Sequence, residues 1–143
     1  MPISVLRTDL GWTESPAAHV FGDHSGYQTI AREGYVEANR LCFCQQARRD
    51  TFVRLLGTMA AMADRFNVGW LVACPRVEHA HAYRSLFGFQ EIAPPRKYFG
   101  VNFSTELLAI RRSDLAEFFR DRRHLREAWS SAREWLQGAC SDS

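Results

Sequence analysis

The chain has 143 residues, 18 basic and 16 acidic side chains, a formal net charge of +2 and an apolar fraction of 46%. That is single-domain size, enough to bury about two-thirds of the unfolded surface in an ordinary core without a disulfide or metal staple. So small a net charge does not argue for nucleic acid, and the longest apolar stretch, Val68 to Cys74, is far too short to span a bilayer.

The opening residues, MPISVLRTDLGWTESP, have neither a basic start nor an apolar h-region, and nothing marks them for export. Cys42, Cys44, Cys74 and Cys140 do not form a spaced disulfide framework, so the protein reads as cytosolic with reduced thiols. Seventeen of the 18 basic residues are arginine, clustered at Arg48-Arg49, beside the single lysine at Arg96-Lys97, and from Arg120 to Arg126. Each cluster reads first as a solvated face.

In chain order, residues 1 to 34 are rich in Gly, Pro, Ser and Asp without a sustained hydrophobic period, which predicts loop with at most a short helix near Tyr27 to Glu33. Tyr35 to Cys44 predicts a strand with a bulge near Arg40, its polar interruptions being Glu37 and Arg40. From Thr51 to Phe66, Phe52, Leu55, Leu56, Met59, Met62, Ala63 and Phe66 form a helical stripe. Asp50 or Thr51 is its expected N-cap and Asn67-Val68-Gly69 its stop.

Gly69 to Cys74 is a continuous apolar run, as expected of a strand buried on both faces, and Pro75 ends it. EHAHAYRSLFGF then predicts a helix from Val77 to Phe87 that stops at a left-handed Gly88, with Phe89 folding back on its last turn. Phe89 to Ala93 predicts a strand, PPRKYFG a turn or loop, and Val101 to Arg111 a longer strand. From Ser113, the expected N-cap, to residue 143 a single amphipathic helix follows, with Trp129 and Trp135 expected to cover the sheet. The strand-helix-strand unit favours parallel pairing and the last two strands an antiparallel pair, giving an α/β fold on a mixed sheet in one domain, with its core at 35–112.

A metal site finds little support. His79 and His81 are two apart and diverge on a helix, and Cys42-x-Cys44 is not the knuckle spacing of structural zinc. The chain also lacks G-x-S-x-G, GxxxxGK[ST] and GxGxxG, and no cysteine sits in an evident electropositive setting beside a histidine. Tyr83 reads first as a core tyrosine and second as a phenol delivered beside a strand, where a departing thiolate would need a proton. Glu37 and Arg40 read first as a structural ion pair at a strand end.

The succession VEANRLCFC, QQARRDT and GWLVACPRVEHAHAYRSLFGFQEI resembles the later half of the GCN5-related N-acyltransferase fold. Within it the likeness is to the N-acyl amino acid synthases, relatives of the acyl-homoserine-lactone synthases. It runs from about Tyr35 to Arg111, and its most specific pieces are Glu37-x-x-Arg40 and the Pro75-Arg76 to Gly88-Phe89 run. The resemblance implies a mostly antiparallel sheet of that type, with the usual N-terminal strands missing or rebuilt in the 34 residues before Tyr35, and a C-terminal amphipathic helix.

It also implies an activity: transfer of a fatty acyl group to the amine of an amino acid or similar small molecule. Glu37 would orient or deprotonate the amine, Arg40 would hold that carboxylate or the acceptor, and Tyr83 would protonate the leaving sulfur. The donor would be an acyl-phosphopantetheine, with no permanently bound cofactor and no metal. Its arm would pair with the backbone of Leu41, Cys42 and Phe43, and its phosphate would lie at the helix opening with Arg48, Arg49, Asp50 and Thr51. QQARRDT lacks the glycines with which acetyl-CoA enzymes of this fold wrap a pyrophosphate, which favours acyl carrier protein over acyl-CoA. The implied partners are therefore acyl carrier protein and a small amine, without nucleic acid or a transmembrane segment, and with room for a homodimer. The rival readings are a non-catalytic carrier-binding or protein-binding module and a coenzyme-A-dependent N-acetyltransferase.

Overall fold

A computed structural model describes residues 5–9, 16–39, 49–97 and 102–141. The elements are β1 (Val5–Asp9), α1 (Pro16–Phe21), α2 (Ser25–Glu33), β2 (Tyr35–Asn39), α3 (Arg49–Phe66), β3 (Trp70–Ala73), α4 (Val77–Phe87), β4 (Gln90–Lys97), β5 (Ser104–Arg111), α5 (Arg112–Arg120) and α6 (Arg123–Ser141). The strands form one sheet in the order β1-β2-β3-β5-β4. β2 and β3 pair in parallel, and the other three neighbouring pairs are antiparallel. The fold is thus the mixed, mostly antiparallel α/β arrangement expected.

Both faces of the sheet are covered, so its central strands carry few polar residues. On one face Val36, Leu71, Leu108 and Ile110 meet α3 to α6 through Leu55, Leu56, Met59, Tyr83, Phe87, Leu115, Phe119 and Leu125. On the other, Tyr35, Trp70, Val72, Leu107 and Ala109 meet α1 and α2 through Ala17, Phe21, Tyr27 and Ile30. All four residues of β3 are buried, as the continuous run from Gly69 predicts.

The first third differs from expectation. Instead of loop it supplies β1, which extends the sheet beyond β2, and two helices that close its second face. Pro16 opens α1, a position where its missing N–H costs nothing, but six residues are too few to display a period. α2 starts earlier than expected, where His24 Nδ1 accepts from Gly26 N–H at 3.0 Å.

Two other boundaries move. β4 runs through Pro94 and Pro95 to Lys97, where a turn was expected. It is an edge strand of the sheet, and Pro94 and Pro95 fall within the register shift between Ala93 and Arg96, where neither has a partner in the ladder with β5. α3 begins at Arg49, so Asp50 and Thr51 lie in its first turn and neither is its N-cap. Asn67, at φ 54°, does end it.

The C-terminal helix is two helices. α5 starts at Arg112 rather than after a Ser113 cap and stops at Asp121. There Arg122 donates to the Phe118 carbonyl at 2.9 Å and lies over the Phe118 ring, replacing bonds a continuing helix would have made. α6 then packs chiefly on α3. Gly57 lets it approach, because a Cβ there would sit 2.7 Å from the Ala128 backbone. Trp129 stacks on Phe119 and donates to Asp64, while Trp135 is largely exposed.

Candidate active site

Two polar side chains, Glu37 and Cys74, meet where β3 gives way to α4, and a third, Tyr83, lies in the opposite layer. Glu37 is the middle residue of β2 and stands opposite Val72 of β3 in the parallel ladder. It was expected as a polar interruption, yet it is 0% exposed, because α1 lies over that face. Its Oε1 accepts from Ala17 N–H at 2.8 Å, in the first turn of α1. Cys74, immediately after β3, donates from its thiol to the same oxygen at 3.8 Å.

Tyr83 belongs to the other layer. The turn Pro75-Arg76 reverses the chain after β3, and α4 carries Ala80, Tyr83 and Phe87 inward on one face. Gly88 takes the left-handed conformation (φ 73°, ψ 14°), and Phe89 N–H donates to the Tyr83 carbonyl at 3.3 Å. Phe89 thereby folds back on Tyr83, their rings 5.6 Å apart and nearly perpendicular, with Phe87 on a second edge. Gly88 and Phe89 act as expected, by ending the helix, and in doing so they fix the phenol.

Burial, and then the neighbouring Glu37 carboxylate, push the Cys74 thiol well above its ordinary range. Burial raises the Tyr83 phenol too, with a further push from charge on Cys74. Both groups are therefore held protonated at neutral pH. Such groups can exchange protons with a ligand while offering no free nucleophile.

Of the expected site residues, Glu37 lies beside Cys74, and Tyr83 is buried in the layer on the other face of the sheet. Arg49, Asp50 and Thr51 form the opening turn of α3, and nothing is described of their side chains. Arg40, Leu41, Cys42, Phe43 and Arg48 fall outside the described residues. Cys74 was read only as a reduced thiol without an activating neighbour, and its place beside Glu37 was missed. Its position at the end of the buried run was visible, but the register that sets it next to Glu37 was not.

His79 and His81 are exposed on α4. Among the described residues no group of three or more His, Cys, Asp or Glu could hold a metal ion, and no helix is long and apolar enough to cross a membrane. A separate groove of about 1280 Å³ lies between α3, α4 and α6, lined among others by Val53, Arg54, Phe87, Arg122, Leu125 and Trp135. It borders none of Glu37, Cys74 and Tyr83.

The family model described as "N-acyl amino acid synthase FeeM" matches residues 3–111. The chain is similar in structure to FeeM, an N-acyl amino acid synthase from uncultured soil microbes: TM-score 0.64 at 16% identity, over 78% of this chain and 61% of that one. It is also similar to BjaI, a CoA-dependent acyl-homoserine lactone synthase solved with MTA: TM-score 0.52 at 13% identity, over 91% of this chain and 58% of that one. The chain thus spans about three-fifths of the length of either structure. No curated protein matches its sequence.

Proposed function

The chain belongs to the N-acyl amino acid synthase FeeM family, and from that premise we propose that it transfers a fatty acyl group from a phosphopantetheine thioester to the amine of an amino acid or similar small molecule. The observation that carries the proposal is a buried carboxylate and a buried phenol on the two sides of the sheet, Glu37 beneath α1 and Tyr83 on α4. Acyl transfer needs those two functions. An ammonium has no lone pair with which to attack a thioester, so a carboxylate must take its proton, and the departing sulfur must receive one.

Glu37, steadied by Ala17 N–H, is the base. Tyr83 is the acid, and the burial that raises its phenol would also raise a thiolate leaving into the same surroundings, which keeps the two matched. Arg40 orients Glu37 or the acceptor. The pantetheine arm lies along the backbone of Leu41 to Phe43, and its phosphate meets the opening turn of α3 with Arg48, Arg49, Asp50 and Thr51.

Acyl carrier protein is the proposed donor, acting in the cytosol, because arginines without glycines suit one phosphate on an acidic protein better than a wrapped pyrophosphate. BjaI is a CoA-dependent synthase, so coenzyme A forms the second arm of the test. The chain is incubated with an amino-acid mixture and either dodecanoyl carrier protein or dodecanoyl-CoA, and products are read by mass. An N-dodecanoyl amino acid from the carrier is expected. Product from CoA alone would transfer the donor role to CoA, and no product from either would sink the enzymatic reading. Carrier binding without product would mark a binding module.

A further inference from the structure

The groove of about 1280 Å³ between α3, α4 and α6 has no part in the chemistry of acyl transfer. Val53, Phe87, Leu125 and Trp135 give it apolar walls, and Arg54, Arg122 and Arg123 stand along it. Trp135 is 68% exposed, the most open large hydrophobic side chain among the described residues. A tryptophan left open beside arginines is the composition of a binding surface, because both offer a broad contact area with a polar end. Most of this lining comes from the chain after α5, beyond residue 111 where the family match ends.

Size and charge narrow the occupant. The volume exceeds the roughly 300–1,000 Å³ of a small-molecule cleft. At a helix diameter of about 10 Å it takes about 16 Å of one, or about three turns. A shallower cleft beside it adds Arg126, so that four arginines face two carboxylates, Asp121 and Glu127, and Arg123 already holds Glu127 at 2.7 Å. Over the whole chain the two signs nearly balance, 18 to 16. A second copy docking by the same face would set arginine against arginine. The complement is an acidic amphipathic helix, with apolar residues for Trp135 and Val53 and carboxylates for the arginines.

We propose, resting on the acyl-transfer reading, that this groove docks the acidic carrier protein by one of its amphipathic helices while the carrier's phosphate reaches the opening turn of α3. The two sites are continuous, because Arg54 stands only about 7.5 Å beyond Arg49 along the axis of the same helix. The groove binds the protein part of the donor and touches no reacting atom, so its residues decide donor choice and leave the rate of the chemistry alone.

The test follows binding of fluorescently labelled holo-carrier protein to the full chain by anisotropy, with turnover of dodecanoyl carrier protein and the amino-acid mixture in parallel. Trp135→Ala and Arg54→Glu should each raise Kd and KM for the carrier at least about tenfold and keep kcat within about twofold of wild type. KM for dodecanoyl-phosphopantetheine, which keeps the thioester and phosphate without the protein, should not move. Equal rises in KM with both donors would put the acyl chain, not a protein helix, in the groove. Carrier Kd unchanged in both variants, or a wild-type dimer that Trp135→Ala splits without changing that Kd, would give the face to another occupant. Each of these results overturns the docking and leaves acyl transfer standing. If the wild type forms no product, the acyl-transfer reading falls and Kd decides: weakening in the variants upholds the groove as the seat of a carrier-binding module, and no binding removes it. Both substitutions replace exposed side chains, and if one variant does not fold the other carries the test.

Discussion

Ala17 N–H donates to Glu37 Oε1 at 2.8 Å, so the first turn of a six-residue helix holds the buried carboxylate of the proposed base. An amide oxygen can accept the same bond but cannot take a proton from an amine. Glu37→Gln should therefore fold with near wild-type melting and lose about 10²- to 10⁴-fold in kcat at little change in KM. Thermal melts and steady-state kinetics check the two halves. A variant with full turnover would remove Glu37 as the base.

Tyr83→Phe keeps the ring contacts with Phe87 and Phe89 and deletes only the hydroxyl. Turnover should fall about 10²-fold or more with a thioester whose thiol is of ordinary acidity, and less with one whose thiol is acidic enough to leave unprotonated. Equal losses with both thioesters would mean that the phenol does not protonate the sulfur.

The raised Cys74 thiol and Tyr83 phenol have a consequence at high pH. In each case the folded protein keeps a proton that the unfolded chain releases, so the stabilising contribution is whole below the ordinary thiol pKa of about 8.5. It is lost as pH rises through the folded values. Denaturant melts from about pH 8 to about pH 11 should show a falling stability, and Cys74→Ala combined with Tyr83→Phe should flatten the fall.

Gly88→Ala places a Cβ in the left-handed region and 2.9 Å from the Phe118 ring. A cost of about 1–2 kcal/mol is expected from the backbone conformation, near 2–4 °C in Tm for each kcal/mol. Because the same turn fixes Tyr83, kcat should fall as well, below the melting range.

Asp64→Ala tests the α3–α6 contact. Its carboxylate accepts from Trp129 Nε1 at 3.0 Å and from Arg133 Nη2 at 2.5 Å. A loss of about 1.5–3 kcal/mol is expected, together with faster tryptic cutting within α6. Protease resistance equal to wild type would show that apolar packing alone holds the helix.

What could be read from the residues was whatever a single element dictates. VGWLVAC could only be a buried strand, and Gly88-Phe89 a helix stop, so the frame around Tyr83 was legible. Proline suggested a break at Pro94-Pro95, which an edge strand tolerates. α1 was too short to show periodicity, and with it went the reason that Glu37 is buried. The nearness of Glu37 and Cys74 depends on a parallel register, a property of two strands together that neither spells out alone.

The last strand in sequence, β5, lies between β3 and β4, and among the described residues β4 joins the sheet through β5 alone. During synthesis the chain must therefore wait, with β3 exposing a bare edge, until residue 111 has left the ribosome. A nascent chain stalled short of Ser104 would present that edge to its neighbours, which makes the interval before β5 emerges the time at which this protein is most open to aggregation.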